Sequence, residues 1–220
     1  MEIKKIKLFG AINKLKKTEL VELLEKAFDN MEGKTKRYVF GDLYKLSTKK
    51  ERTPEKLLDS IRKFHDKSMS GHYYAPFNVN SKNFSDVPEE TDEWFDKISD
   101  YLDFTSIMVK EGKYEMGLKC FTILFELIDR MESGEEIVFA DELGDWMISA
   151  KEDYIEKYII ALSKEVKLVE EYVSQLIPRI KSDSYFSFSN GVYKKVKRHS
   201  SSIQLKAINK EIKLQSIRVK

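Results

Sequence analysis

One stretch decides what kind of fold this chain can build. Eleven of the eighteen residues from Tyr114 to Met131 are apolar, and on a helical wheel they cover well more than half of the circumference. A helix that apolar has to be packed on two sides. Its neighbours in sequence offer matching faces. Residues 89–109 place Trp94, Phe95, Ile98, Tyr101, Leu102, Met108 and Val109 in one arc. Residues 152–177 do the same with Ile155, Tyr158, Ile159, Leu162, Val166, Val169, Val173, Leu176 and Ile177. Gly112 is the natural residue to close the first of these, and Pro178 is expected to end the last. With four prolines and nine glycines in 220 residues, long regular elements are the expectation.

The N-terminal signals are shorter. Residues 3–15 could form a small amphipathic helix. Thr18 reads as an N-cap, with Glu19 and Glu22 in the first turn, for a helix over 19–31 presenting Leu20, Leu23, Leu24, Ala27, Phe28 and Met31. Thr53-Pro54-Glu55 is a cap, a proline at the first helical position and an acid. It opens a helix to about His65 with Leu57, Leu58, Ile61 and Phe64 inward. Residues 66–88 lack periodicity and read as a long loop, which Tyr73, Tyr74, Phe77 and Phe84 should pin to the body. A short helical piece with Leu143, Trp146 and Met147 is expected after Ile137–Ala140.

Beyond Pro178 the pattern changes. In Ser184–Lys197, Asn190-Gly191 suits the two positive φ angles of a type I′ turn, so a β-hairpin is expected. That hairpin would put Phe186, Phe188, Tyr193, Lys195 and Lys197 on one face. For 200–220, Ile203, Leu205 and Ala207 alternate like a strand, but the Leu205, Ile208 and Ile212 spacing favours a helix. The expected architecture is mainly α: a helical bundle or short α-solenoid over 1–178, including the loop 66–88. A small basic β-hairpin and tail would follow over 179–220.

Gly112-Lys-Tyr114-Glu-Met-Gly117-Leu-Lys-Cys120-Phe121 resembles the second half of a tetratricopeptide-type (TPR-like) helical hairpin, over about 92–131. The full Trp/Leu-Gly/Tyr pattern and a second copy at a 34-residue period are missing. The resemblance implies helix-on-helix stacking and, by analogy, a partner-binding groove; plain bundle packing accounts for the same residues.

The formal net charge of +2 hides strong blocks. Residues 85–160 hold 21 acidic and 7 basic side chains, residues 1–84 hold 11 and 19, and residues 194–220 hold 1 and 9. Such blocks bear on association more than on fold. Glu89, Asp92, Asp96, Asp100 and Asp103 form an acidic stripe at helical spacing. It is a solvated face, a seat for the basic tail, or a seat for a protein partner. Calcium-loop spacing is absent. At the C-terminus, Phe186, Phe188, Tyr193, Lys195, Lys197 and Arg198 interleave aromatics with cations, as stacking on bases and tracking of phosphates require.

His65-Asp66 and His72 hint at a metal-dependent hydrolase, but further ligands at defined places are lacking, and no metal or cofactor is expected. No phosphate loop, Walker lysine or nucleophile elbow occurs, so no catalytic residues are assigned. The lone Cys120 lies in the most apolar helix and fits a reducing, cytoplasmic setting. No run approaches 18 apolar residues, so no membrane partner is expected.

The leading expectation is a non-enzymatic adaptor or accessory subunit. Asp92, Asp96, Asp100 and Asp103, with Tyr73, Tyr74 and Phe77, would meet a protein partner. The alternative is a nucleic-acid-binding accessory factor using the basic-aromatic C-terminal segment.

Overall fold

The structure, a computed structural model, describes residues 5–31, 35–36, 38–41, 53–83, 86–139, 148, 151–186 and 191–219, with backbone alone at 5–6, 182 and 184–186. It is mainly helical. The helices with full bounds are α1 (Lys5–Ile12), α2 (Lys17–Asp29), α3 (Pro54–Met69), α4 (Glu89–Lys110), α5 (Tyr114–Glu132), α6 (Lys151–Glu165), α7 (Val169–Phe186), α8 (Gly191–His199) and α9 (Ser202–Leu214). Residues 1–51 and 52–220 form two separate compact units.

In the larger unit α5 is the centre, packed against α3, α4 and α6. Phe121, Leu124, Phe125, Leu127 and Ile128 are all buried, as two-sided packing requires. The α4–α5 connection is closed by Gly112 at φ +81°, which lets the Lys113 N–H reach the Met108 carbonyl at 3.0 Å. Past the turn Gly117 meets α4 so closely that an added Cβ would lie 2.5 Å from Val109 Cγ2. Thr53 caps α3 through Oγ1, which accepts the Lys56 N–H, with Pro54 in the first turn. The buried Trp94 indole donates to Ser68 Oγ at 2.9 Å, so its one polar atom is satisfied.

α3 runs four residues past His65, and the following loop is pinned as its aromatics imply. Tyr73 is fully buried and bridges to Val138, and the Tyr74 and Phe77 rings meet Phe139. Phe84, Leu143, Trp146 and Met147 lie outside the described residues.

Three expectations about helix ends fail. α2 starts at Lys17, not after a Thr18 cap, because the Glu19 carboxylate reaches back to the Lys16 N–H at 2.6 Å. The long helix expected over 152–177 is two helices. It breaks at 166–168, between Glu165, the last residue of α6, and Val169, the first of α7; Lys164 in the last turn of α6 and Glu170 and Glu171 in the first turn of α7 suit the two helix ends. Pro178 does not end α7 but lies inside it on the exposed side, where only the i+4 donor to the Ser174 carbonyl is lost.

The largest correction is the C-terminal appendage. No β-hairpin forms: Gly191 opens α8, and the segment that would be its second strand is helical to His199. Turn chemistry was overruled by burial: the helix brings Val192 and Val196, one turn apart, into the core and leaves Lys194 exposed, whereas a strand would put Lys194 on the same face between them. α9 is a helix, as the Leu205, Ile208 and Ile212 spacing implies, and Ser201 and Gln204 cap it reciprocally.

Candidate functional site

α7 carries two apolar lines; the core consumes the first whole and, of the second, buries Ile177. Tyr172, Leu176 and Ile180, four residues apart, are almost completely buried. Val169, Val173 and Ile177, also four apart, sit one position to the side and form the floor of an open groove. The other wall is α9, which buries Gln204, Ile208 and Ile212 inward and turns Ala207, Lys210, Glu211 and Leu214 toward the groove. Pro178, Ser174 and Lys181 complete it, and its volume is about 670 Å³. Leu214 is 67% exposed, a large apolar side chain held in water at the rim.

The walls are fixed from behind. The Tyr172 hydroxyl and Ser200 Oγ lie 2.6 Å apart, joining the start of α7 to the turn before α9. The Gln204 amide donates to the Ser163 carbonyl. Arg179 anchors the second half of α7: its guanidinium pairs with Asp129 of α5 at 3.1 and 3.3 Å and stacks over the Phe125 and Tyr158 rings. α8 is held on α6 by the pairs Lys195–Glu152 (3.0 Å) and Arg198–Glu156 (3.1 Å), and the Glu156 carboxylate also hydrogen-bonds His199 Nε2 (2.7 Å). The hydrogen bond with His199 holds the Glu156 carboxyl below its ordinary range, with partial burial opposing.

The charges that line the groove are balanced, Lys181 and Lys210 against Glu170 and Glu211, and the further lysines of α9 lie outside the lining. On α9, Lys206, Lys210 and Lys213 are exposed on one outward arc beside Leu214, and Lys181 stands on α7; Glu170 and Glu211 are the acids of the lining. Sequence reading placed Val169 and Val173 in a single inward face with Leu176. The signal that separates them is the second line, Tyr172, Leu176 and Ile180, which needs α7 to begin at 169 and run through Pro178.

The residues singled out in the sequence fall apart into different roles. Asp92 and Asp96 are exposed on α4 and Asp100 is half-buried. Asp103 accepts the Tyr154 hydroxyl at 2.9 Å and so belongs to the α4–α6 joint, where burial first and Asp103 second push the Tyr154 hydroxyl's pKa up. Tyr73 is core, under Phe64 and Lys97, while Tyr74 and Phe77 are half-buried around Phe139.

The basic-aromatic face does not assemble as expected. Tyr193 donates to Asn209 and lies under the Lys197 ammonium; Lys195 and Arg198 point to other sides and meet Glu152 and Glu156. Phe188 lies outside the described residues, and of Phe186 only the backbone is described. His65 Nδ1 lies 3.5 Å from Asp66, and the exposed His72 ring meets Tyr73 edge-on. Among the described residues no group of three or more His, Cys, Asp or Glu is placed to hold a metal. Burial pushes the Cys120 thiol up to about 12.

Among the described residues no helix is long and apolar enough to cross a membrane. Comparison with protein-family models, with curated proteins and with solved structures gives no match.

Proposed function

We propose that this protein is a non-enzymatic adaptor or accessory subunit that docks a protein partner through the helical surface at its C-terminal end. The observation that carries the reading is the groove between α7 and α9. It presents an apolar floor of Val169, Val173 and Ile177 and a charged edge, the layout in which an amphipathic helix lays its apolar face. Its volume fits a few anchoring side chains, and its walls are braced by Tyr172–Ser200 and Arg179–Asp129, so little ordering is left for the moment of binding.

The acidic stripe is the rival surface on the same protein. Affinity capture with quantitative comparison separates them: Val173→Asp should abolish recovery of the partner by at least tenfold while Asp96→Lys with Asp100→Lys leaves it unchanged. The reverse pattern would move the docking site to α4. Loss in neither variant would remove both.

A nucleic-acid reading has one observation in its favour, the exposed Lys194, Lys197, Lys206, Lys210 and Lys213. It is weakened because Tyr193 is occupied by Asn209 and Lys197 and so offers no open face for a base. An absorbance ratio at 260 and 280 nm that falls after a high-salt wash would support it; a protein-like ratio from the start would remove it.

A further inference from the structure

α9 carries a second stripe besides the one that faces the core. Gln204, Ile208 and Ile212 point inward, while on the wheel Ile203, Lys206, Lys210, Lys213 and Leu214 share about 100° of the outward side. Ile203 is 66% exposed and Leu214 67%. Among the described residues of the larger unit, only Leu168 is a large apolar side chain as open to water. Ile203 and Leu214 stand about 16 Å apart along the helix, with the three lysines between them.

The lysines continue onto α8. The Tyr193 hydroxyl donates to Asn209 Oδ1 at 2.7 Å, which ties the two helices together, and the Lys197 ammonium lies over the Tyr193 ring. Lys194 and Lys197 are exposed, whereas Lys195 and Arg198 are engaged by Glu152 and Glu156 of α6. From Gly191 to Leu214 the sequence holds one acid, Glu211, and it lines the groove. The outward surface of the two helices therefore presents Lys194, Lys197, Lys206, Lys210 and Lys213 with two apolar side chains in water.

We propose that this surface lies on an anionic lipid bilayer, its lysines among the headgroups and Ile203 and Leu214 sunk between them. The proposal does not rest on the groove reading, with which it shares only Lys210 and Leu214. Lysines clustered on an amphipathic helix are drawn to the negative potential of such a membrane. Apolar side chains beside them add an interfacial anchor. A nucleic-acid backbone would meet the same lysines but gives Ile203 and Leu214 no apolar place, and Tyr193 has no open face for a base. The lack of a spanning helix among the described residues does not bear on this, since a helix in the interfacial plane needs no spanning length. Attachment through few apolar groups is reversible and weakens with salt.

Co-sedimentation of the full chain with vesicles tests this, using phosphatidylcholine alone or with about 30% phosphatidylserine at about 50 mM salt. The wild type should pellet with the anionic vesicles and stay in solution with the neutral ones. Lys206→Gln/Lys210→Gln/Lys213→Gln should weaken that binding at least about tenfold, and Ile203→Ser/Leu214→Ser about threefold to tenfold. All five side chains are exposed, so circular dichroism should show the helices intact in both variants. Orientation is read by a polarity-sensitive fluorophore on Ile203→Cys, since the buried Cys120 stays unlabelled. Its emission should move to shorter wavelength on anionic vesicles, while the same label on Asp92→Cys of α4 should not respond. A wild type that ignores anionic vesicles would overturn the proposal. So would binding that the lysine variant leaves unchanged, which would place the contact elsewhere on the chain. Vesicle binding indifferent to Ile203→Ser/Leu214→Ser, with retention of a duplex oligonucleotide lost in the lysine variant, would assign the surface to nucleic acid instead.

Discussion

Helices α2 and α5 are made of similar material and meet opposite fates. Both carry leucines and phenylalanines at helical spacing, yet Phe121, Leu124, Phe125 and Ile128 of α5 are at most 1% exposed while α2 buries nothing. The difference lies in the neighbours. α5 has α3, α4 and α6 on its sides, whereas in the small unit Phe28 meets Phe40 edge-on and Lys36 over its ring. An apolar face is thus a demand for a partner, and which partner answers it is a property of the pair.

The contrast breaks most visibly on truncation. Phe125→Ala removes a ring stacked on Phe121 and capped by Arg179, and should cost about 3–5 kcal/mol in chemical denaturation followed by circular dichroism. Leu24→Ala should change stability by less than about 0.5 kcal/mol. Equal losses at the two sites would mean that α2 is buried after all. The next largest effect tests the closeness of α5 to its neighbour: Gly117→Ala forces Val109 Cγ2 to move and should cost about 1–3 kcal/mol, despite alanine's better helix propensity.

α8 lies between these extremes, held on α6 by apolar contact and charge together. Glu156 has its carboxyl pKa below the ordinary 4.5, so its contribution is complete above that value and is lost as pH falls through the lowered one. Wild type should therefore lose about 1 kcal/mol relative to Glu156→Gln on acidification from pH 6 to pH 3, read as converging melting temperatures. Parallel curves would show the contact to be energetically idle. The smallest perturbation uses thiol labelling. Cys120, buried and with its pKa at about 12, should stay unlabelled by a maleimide at pH 8 until unfolding, while a thiol placed by Leu24→Cys reacts at once.

The large helices were legible because their signals are redundant. In α4 and α5 the apolar arcs, Gly112 and the small Gly117 all agree, and the Thr53-Pro54 start of α3 is equally consistent. The C-terminal segment misled because Asn190-Gly191 is a local signal and the burial of Val192 and Val196 is not local: it depends on α6 and α7 being there to cover. The groove was hidden for a related reason. Val169 and Val173 look like core until Tyr172 and Leu176 are seen to occupy the core side of the same helix. Asp103 could not be told from Asp96 in sequence, since what distinguishes it is Tyr154, fifty-one residues away.

Pro178 gives α7 a consequence in time. With no N–H at that position the helical ladder has a gap, so the parts on either side can open independently. Residues 169–177 are tied to the α9 side through Tyr172 and Ser200, and the part that follows is tied to α5 through Arg179 and Asp129. Amide hydrogen exchange should then divide at the proline, the first part keeping pace with α9 and the second with the slow centre of the bundle. Because the groove floor belongs mainly to the first part, an occupant would announce itself as slowed exchange at 169–177 and in α9, with the remainder of the helix unchanged.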